Sequence, residues 1–146
     1  MFLGEYHHNI DEKGRLVSTT KYREELGNSF IITRGIEKCL YVYSNSEWEK
    51  LVAKLNTLPF TKKNARTFLR SFFSGATVCE FDRTGRINIT SPLVSYADLT
   101  KECVIIGVND RLEIWNEELF NNFLDENSSE LESIAENLFE VNHDAL

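Results

Sequence analysis

Asp11-Glu12-Lys13-Gly14-Arg15 is written a second time as Asp82-Arg83-Thr84-Gly85-Arg86. Each copy runs into an alternating stretch, Leu16-Val17-Ser18-Thr19 after the first and Ile87-Asn88-Ile89-Thr90 after the second. The matching Asp, Gly and Arg positions all lie 71 residues apart. In a turn, aspartate accepts hydrogen bonds from amides a residue or two ahead. Glycine supplies positive φ without a Cβ penalty. Arginine leaves the turn with a planar fork of donors suited to phosphate or to the edge of a guanine. One such pentapeptide reads as an ordinary surface turn; two in matching places point to a shared role.

The two halves repeat each other beyond the turns as well. Glu5–Ile10 and Arg15–Thr19 read as strands flanking the first turn, and Thr77–Phe81 and Arg86–Thr90 as strands flanking the second. A short helix follows each pair. Lys21–Leu26 has Thr20 as its cap and Gly27 beyond its end; Leu93–Leu99 opens with Ser91 as cap and Pro92 at the first helical position. Phe30–Thr33 and Cys39–Tyr43 are matched by Cys103–Gly107 and Leu112–Trp115.

Amphipathic helices then close each half. Ser46 with Glu49 forms a capping-box pattern opening a helix with Trp48, Leu51, Val52 and Leu55 on one face, ended by Leu58-Pro59. A helix from Lys62 to Ser74 puts Phe68, Leu69, Phe72 and Phe73 on one side and Lys62, Lys63, Arg66 and Arg70 on the other, with Gly75 at its end. In the second half Asn116 caps a helix carrying Phe120 and Phe123. A last helix, Glu130–Phe139, is expected to turn Leu131, Ile134, Ala135 and Leu138 inward, leaving Val141–Leu146 as a loose tail.

A ~60-residue domain buries only about 60% of its surface. Residues 1–75 and 76–146 are therefore expected to intertwine as one compact pseudo-dimer rather than fold as separate domains. The hydrophobic fraction of 42%, with ten Phe and five Tyr, suffices for such a shared core.

The net charge of −7 argues at face value against a nucleic-acid partner, but it is unevenly distributed. Residues 1–75 carry 12 Lys/Arg against 8 Asp/Glu; residues 76–146 carry 4 against 15. Such asymmetry suits nucleic-acid binding or head-to-tail association. Cys39, Cys79 and Cys103 lie in apolar strands without C-x-x-C spacing and read as reduced thiols, not as a zinc site. No apolar run approaches the ~20 residues of a membrane span, and the opening Met-Phe-Leu-Gly-Glu lacks the features of a signal peptide, so a cytoplasmic protein is expected.

The start Met1-Phe2-x-Gly4, the two Asp-x-x-Gly-Arg turns, the Glu47-Trp48-Glu49 helix and the Arg66-rich helix ending at Gly75 resemble the MraZ family, over about residues 1–140. The resemblance implies an α+β fold: a β-barrel-like, AbrB-type swapped-hairpin pseudo-dimer of two internal repeats, with amphipathic helices after each half. It further implies a transcriptional regulator that assembles as a homo-oligomeric ring. That ring would bind short direct repeats in DNA upstream of its own division and cell-wall gene cluster, in the cytoplasm at the nucleoid.

Carried onto this sequence, Arg15 and Arg86 would contact DNA, with Asp11, Gly14, Asp82 and Gly85 supporting the turns. Lys13 matches the family's usual basic residue. Thr84 does not, and Arg83 beside it stands in. Thr19 and Thr90 replace a proline common after each motif strand, and Val94 replaces an arginine common on the second short helix.

No Gly-rich phosphate loop, G-x-S-x-G or metal-spaced ligand cluster is present, so neither catalysis nor a cofactor is expected. His7 and His8 are adjacent on a strand, point to opposite faces, and are poorly placed to share a metal. The Lys62, Lys63, Arg66, Arg70 stripe suits a neighbouring subunit better than DNA. An antitoxin-like protein-interaction module with an acidic second half is the alternative reading.

Overall fold

The computed structural model describes residues 1–18 and 20–145, with side chains described through residue 140. The first repeat contains β1 (Glu5–Asn9), β2 (Arg15–Val17), α1 (Thr20–Leu26), β3 (Ser29–Arg34), β4 (Leu40–Ser44), α2 (Asn45–Leu55) and α3 (Lys63–Ser74). The second contains β5 (Thr77–Glu80), β6 (Arg86–Asn88), α4 (Ser91–Tyr96), β7 (Glu102–Gly107), β8 (Leu112–Asn116), α5 (Glu117–Ser128) and α6 (Leu131–Ala145). The same succession of elements thus occurs twice, as the duplicated turn suggests.

All strand pairings are antiparallel, and they interleave the repeats. The main sheet has the order β1-β7-β8-β4-β3-β5, so the first strand of each repeat lies on the third strand of the other. β4 and β8 meet at the centre, with Leu40 opposite Ile114. β2 and β6 form a separate ribbon, with Leu16 opposite Ile87. Isolated bridges Ile10–Leu16 and Phe81–Ile87 tie that ribbon to β1 and β5, the two edges of the sheet. The ribbon therefore spans from one edge of the sheet to the other.

The central strands are buried on both faces, which explains why Leu40-Tyr41-Val42-Tyr43 is continuously apolar instead of alternating. On one face, Leu16 and Ile87 from the ribbon pack with Tyr22 and Leu26 of α1, Leu93 of α4, and Phe30, Ile32, Ile105 and Ile114 of the sheet. On the other, Tyr41, Tyr43, Val104 and Trp115 pack with Trp48, Phe72 and Phe120 from α2, α3 and α5. Burying a large apolar side chain fully contributes about 1.5–3 kcal/mol. The first core draws those contributions from both repeats.

Several boundaries differ from expectation for local reasons. β4 passes into α2 without a loop, so the cap is Ser44, not Ser46: its side chain accepts from the Glu47 amide at 3.3 Å. Likewise Thr90, not Ser91, is the cap position of α4, which moves Pro92 one place further into the helix. Thr20 is the first residue of α1, so a side-chain cap one position earlier lies outside the described residues. Asn116 does cap α5, accepting from the Leu119 amide at 3.2 Å.

The larger correction concerns α6. The helix continues to Ala145, past the expected end at Phe139, and Leu131, Ile134 and Leu138 are exposed rather than turned inward. The side chains from residue 141 onward, expected as a loose tail, lie outside the described residues.

The ribbon gives a direct test of this packing. Leu16→Ala should destabilise the protein by about 2–5 kcal/mol, because its neighbours cannot collapse into the space. Val17→Ala, on the exposed face of the same strand, should change stability by less than about 0.5 kcal/mol. Urea denaturation of the two variants measures the contrast.

Candidate nucleic-acid interface

Each duplicated turn is built by its aspartate. Asp11 Oδ1 accepts from the amides of Lys13 and Arg15, both at 2.9 Å, while Oδ2 accepts from Arg15 Nε at 2.6 Å. Asp82 Oδ1 accepts from the amides of Thr84 and Arg86 at 2.9 Å, and Oδ2 accepts from Arg86 Nε at 2.8 Å. The aspartates thus reach two and four residues ahead, farther than turn composition alone suggests. Backbone bonds close both turns: the Gly14 amide donates to Asp11 O and the Gly85 amide to Asp82 O, each at 3.0 Å. Gly14 and Gly85 adopt φ of +78° and +79°, the left-handed region that glycine enters without penalty.

The carboxylates are held ionised chiefly by backbone. The Arg15 amide, then the Arg15 guanidinium and the Lys13 amide, hold the Asp11 carboxyl below the usual range. Asp82 is lowered further, by the Arg86 amide and then by the hydroxyl and amide of Thr84. Thr84 therefore replaces the lysine's charge with one more bond to the turn, at 2.9 Å.

Both arginines face the same way. In the ribbon Arg15 lies opposite Asn88 and Arg86 opposite Val17. Cross-strand partners share a face. Arg15, Val17, Arg86 and Asn88 thus form the outer surface, while Leu16 and Ile87 point into the core. The two arginines are diagonal neighbours with Cα atoms on the order of 7–8 Å apart. They are 33% and 32% exposed. Because Nε is engaged by its own aspartate, each guanidinium is oriented, and its terminal nitrogens make no hydrogen bond among the described residues. Lys13 and Arg83 are exposed on the tips of the turns.

The two turns also hold each other. Gly14 O accepts from the Ile89 amide at 2.7 Å, and Gly85 O accepts from the Ser18 amide at 3.4 Å. A Cβ on Gly14 would collide with the carbonyl oxygen of Ile89; one on Gly85 would collide with the guanidinium of Arg23.

Arg23, which turn chemistry alone does not single out, rests on the second turn. Its Nη2 donates to Thr20 Oγ1 at 2.9 Å, and its Nε is buried without a partner among the described residues. At the matching place over the first turn stands Val94, beside a hollow of about 310 Å³ lined by Asp11, Lys13, Gly14 and Ser95. The signal that could have located Arg23 is the repeat itself, which aligns it with Val94.

Away from the turns, His7 and His8 occupy opposite faces of β1, as expected. His7 pairs with Glu5 at 2.8 Å and Glu117 at 3.1 Å, which raises its pKa. Burial lowers that of His8.

Glycine replacement separates two costs. Gly27 also has positive φ, +81°, but open space around it. Gly27→Ala should cost about 1–2 kcal/mol, the penalty for a left-handed alanine. Gly14→Ala should cost more, since Ile89 must also move; equilibrium unfolding compares the two.

The chain matches a family model described as "MraZ protein, putative antitoxin-like" twice, over residues 1–71 and 72–142. Among curated relatives, a protein named "Transcriptional regulator MraZ" from Lactobacillus helveticus (strain DPC 4571) is 52% identical over 141 residues, covering 97% of this chain and 99% of the relative. Neither description is that of an enzyme. With two matches that together span nearly all of its length, the chain belongs to the MraZ family.

Proposed function

We propose that the protein is a sequence-specific DNA-binding transcriptional regulator. Its contacts are Arg15 and Arg86, assisted by Lys13 and Arg83, with Asp11, Gly14, Asp82 and Gly85 holding the turns. The observation that carries this reading is the placement of both arginines, pre-oriented by aspartates, on one outer face of a two-stranded ribbon. A ribbon of this kind fits the ~12 Å major groove of B-DNA, where arginine reads the O6 and N7 edge of guanine. The curated relative's name supports the same reading. Residues 1–75 and 76–146 act as one unit, an AbrB-type swapped hairpin closed by the ribbon. The exchange of β1 and β5 between repeats supports that description.

Two arginines make few phosphate contacts, and each contact adds only about 0.9 to the salt slope of binding. Useful affinity therefore comes from several subunits, arranged as a ring, engaging direct repeats at high effective concentration. The DNA is the region upstream of the division and cell-wall gene cluster, and the protein works in the cytoplasm at the nucleoid. Among the described residues no helix is long and apolar enough to cross a membrane.

A second reading, an antitoxin-like module binding another protein, is favoured by the family description and by the exposed apolar residues of acidic α6.

Gel shifts on DNA with spaced direct repeats distinguish them. Binding should be salt-sensitive and should weaken at least ~30-fold in Arg15→Ala/Arg86→Ala, since each bidentate guanine contact is worth about 1–3 kcal/mol. Light scattering should show the oligomer unchanged. Normal DNA binding by that double variant would remove the turns from the interface.

A further inference from the structure

The outer face of the ribbon carries two side chains besides the arginines. Arg15 stands opposite Asn88 and Val17 opposite Arg86, with the Leu16–Ile87 pair between them. The repeat matches Arg15 with Arg86 and Val17 with Asn88, each 71 residues apart. A pseudo-two-fold axis through the Leu16–Ile87 pair therefore relates the arginines to each other, but it lays a valine on an asparagine. Both of these are exposed, Val17 at 43%. The Asn88 side chain makes no hydrogen bond among the described residues.

The two positions differ in what they can recognise. An asparagine amide presents a donor and an acceptor side by side and pairs with N6 and N7 of adenine. A valine presents apolar surface only, which suits a thymine methyl group without any hydrogen bond. Arg15 and Asn88 face each other across the ribbon with Cβ atoms about 5 Å apart, so they address neighbouring base pairs. Residues two apart on one strand are separated by about 6.8 Å, close to two base steps of ~3.4 Å. The ribbon face thus spans a few base pairs, with Arg15 and Asn88 at one end and Arg86 and Val17 at the other.

We propose that Asn88 is a specificity-determining residue, reading an adenine beside the guanine contacted by Arg15. The proposal rests on the DNA-binding reading above and deepens it. A strictly two-fold reader matches a palindrome and sits on it equally well either way round. The difference between Val17 and Asn88 makes one end of the ribbon more demanding than the other. It gives the ribbon a polarity on DNA, which direct repeats, all running the same way, require.

The test selects bound sequences from a randomised double-stranded DNA library with the full chain, as wild type, as Asn88→Val and as the exchange variant Val17→Asn/Asn88→Val; thermal melting controls for folding. The wild type should enrich a motif whose two ends differ, with adenine next to one guanine. Asn88→Val should keep the guanines and lose discrimination at that adenine by at least ~5-fold. The exchange variant should move the adenine to the opposite end of the motif, a result that a merely structural role would not produce. A motif unchanged in both variants, or one with equivalent ends in the wild type, overturns the role of Asn88 while leaving Arg15 and Arg86 as contacts. Persistence of the guanines in Arg15→Ala/Arg86→Ala, or no enriched sequence at all with the wild type, overturns the underlying DNA-binding reading and the proposal with it.

Discussion

Leu16 and Ile87 sit side by side at the centre of the ribbon, almost without exposure, each contributed by a different repeat. The rest of the molecule depends on that pairing. A three-residue strand cannot hold itself in water, and a lone two-stranded ribbon is marginal at best. Here the ribbon is fastened at both ends to the sheet and underneath to α1 and α4. This core is assembled from both halves, joined by the exchange of strands between repeats. Outward from the same two strands project the arginines. One short element therefore serves as the lid of the core on its inner face and as the presenting surface on its outer face.

The electrostatics of the turns follow from the same geometry. Backbone amides converge on each aspartate, keep it ionised, and leave it a fixed anion against which the arginine Nε aligns. A pair this exposed adds little to stability. Its consequence is orientation: a guanidinium already placed loses less entropy when it meets a ligand. The two turns reach this arrangement with different residues at the third position. Lys13 contributes a charge at the tip, while Thr84 contributes a hydroxyl to the aspartate.

Duplication has left the repeats similar in frame and different in detail. Arg23 leans on the second turn, while Val94 leaves a hollow beside the first. Where the first repeat uses Gly27 to leave its short helix, the second uses Asp98 at φ of +51°, a residue type that tolerates this region better than most. Asp98 is steadied by Lys38 at 3.0 Å and by the Asn116 side chain, which donates to its carbonyl at 2.7 Å. The largest difference is that α3 covers the aromatic rings beneath it, while Leu131, Leu138 and Phe139 of α6 are exposed.

The order and type of nearly every element were legible in the sequence, because alternation, helical spacing and turn residues are local signals that the repeat states twice. The same holds for the turn geometry set by Asp, Gly and Arg, which depends on neighbours within four residues. Helix starts at Ser44 and Thr90 were misplaced by a residue or two, because which hydroxyl serves as cap depends on where the preceding strand ends. Three features were set only when the chain folded: which strands cross between repeats, that Arg15 and Arg86 share one outer face, and that Leu131, Ile134 and Leu138 of α6 look outward. Each depends on pairing between residues far apart in the chain. Periodicity reveals that a helix has an apolar side, but what lies against that side is settled only when the chain is folded.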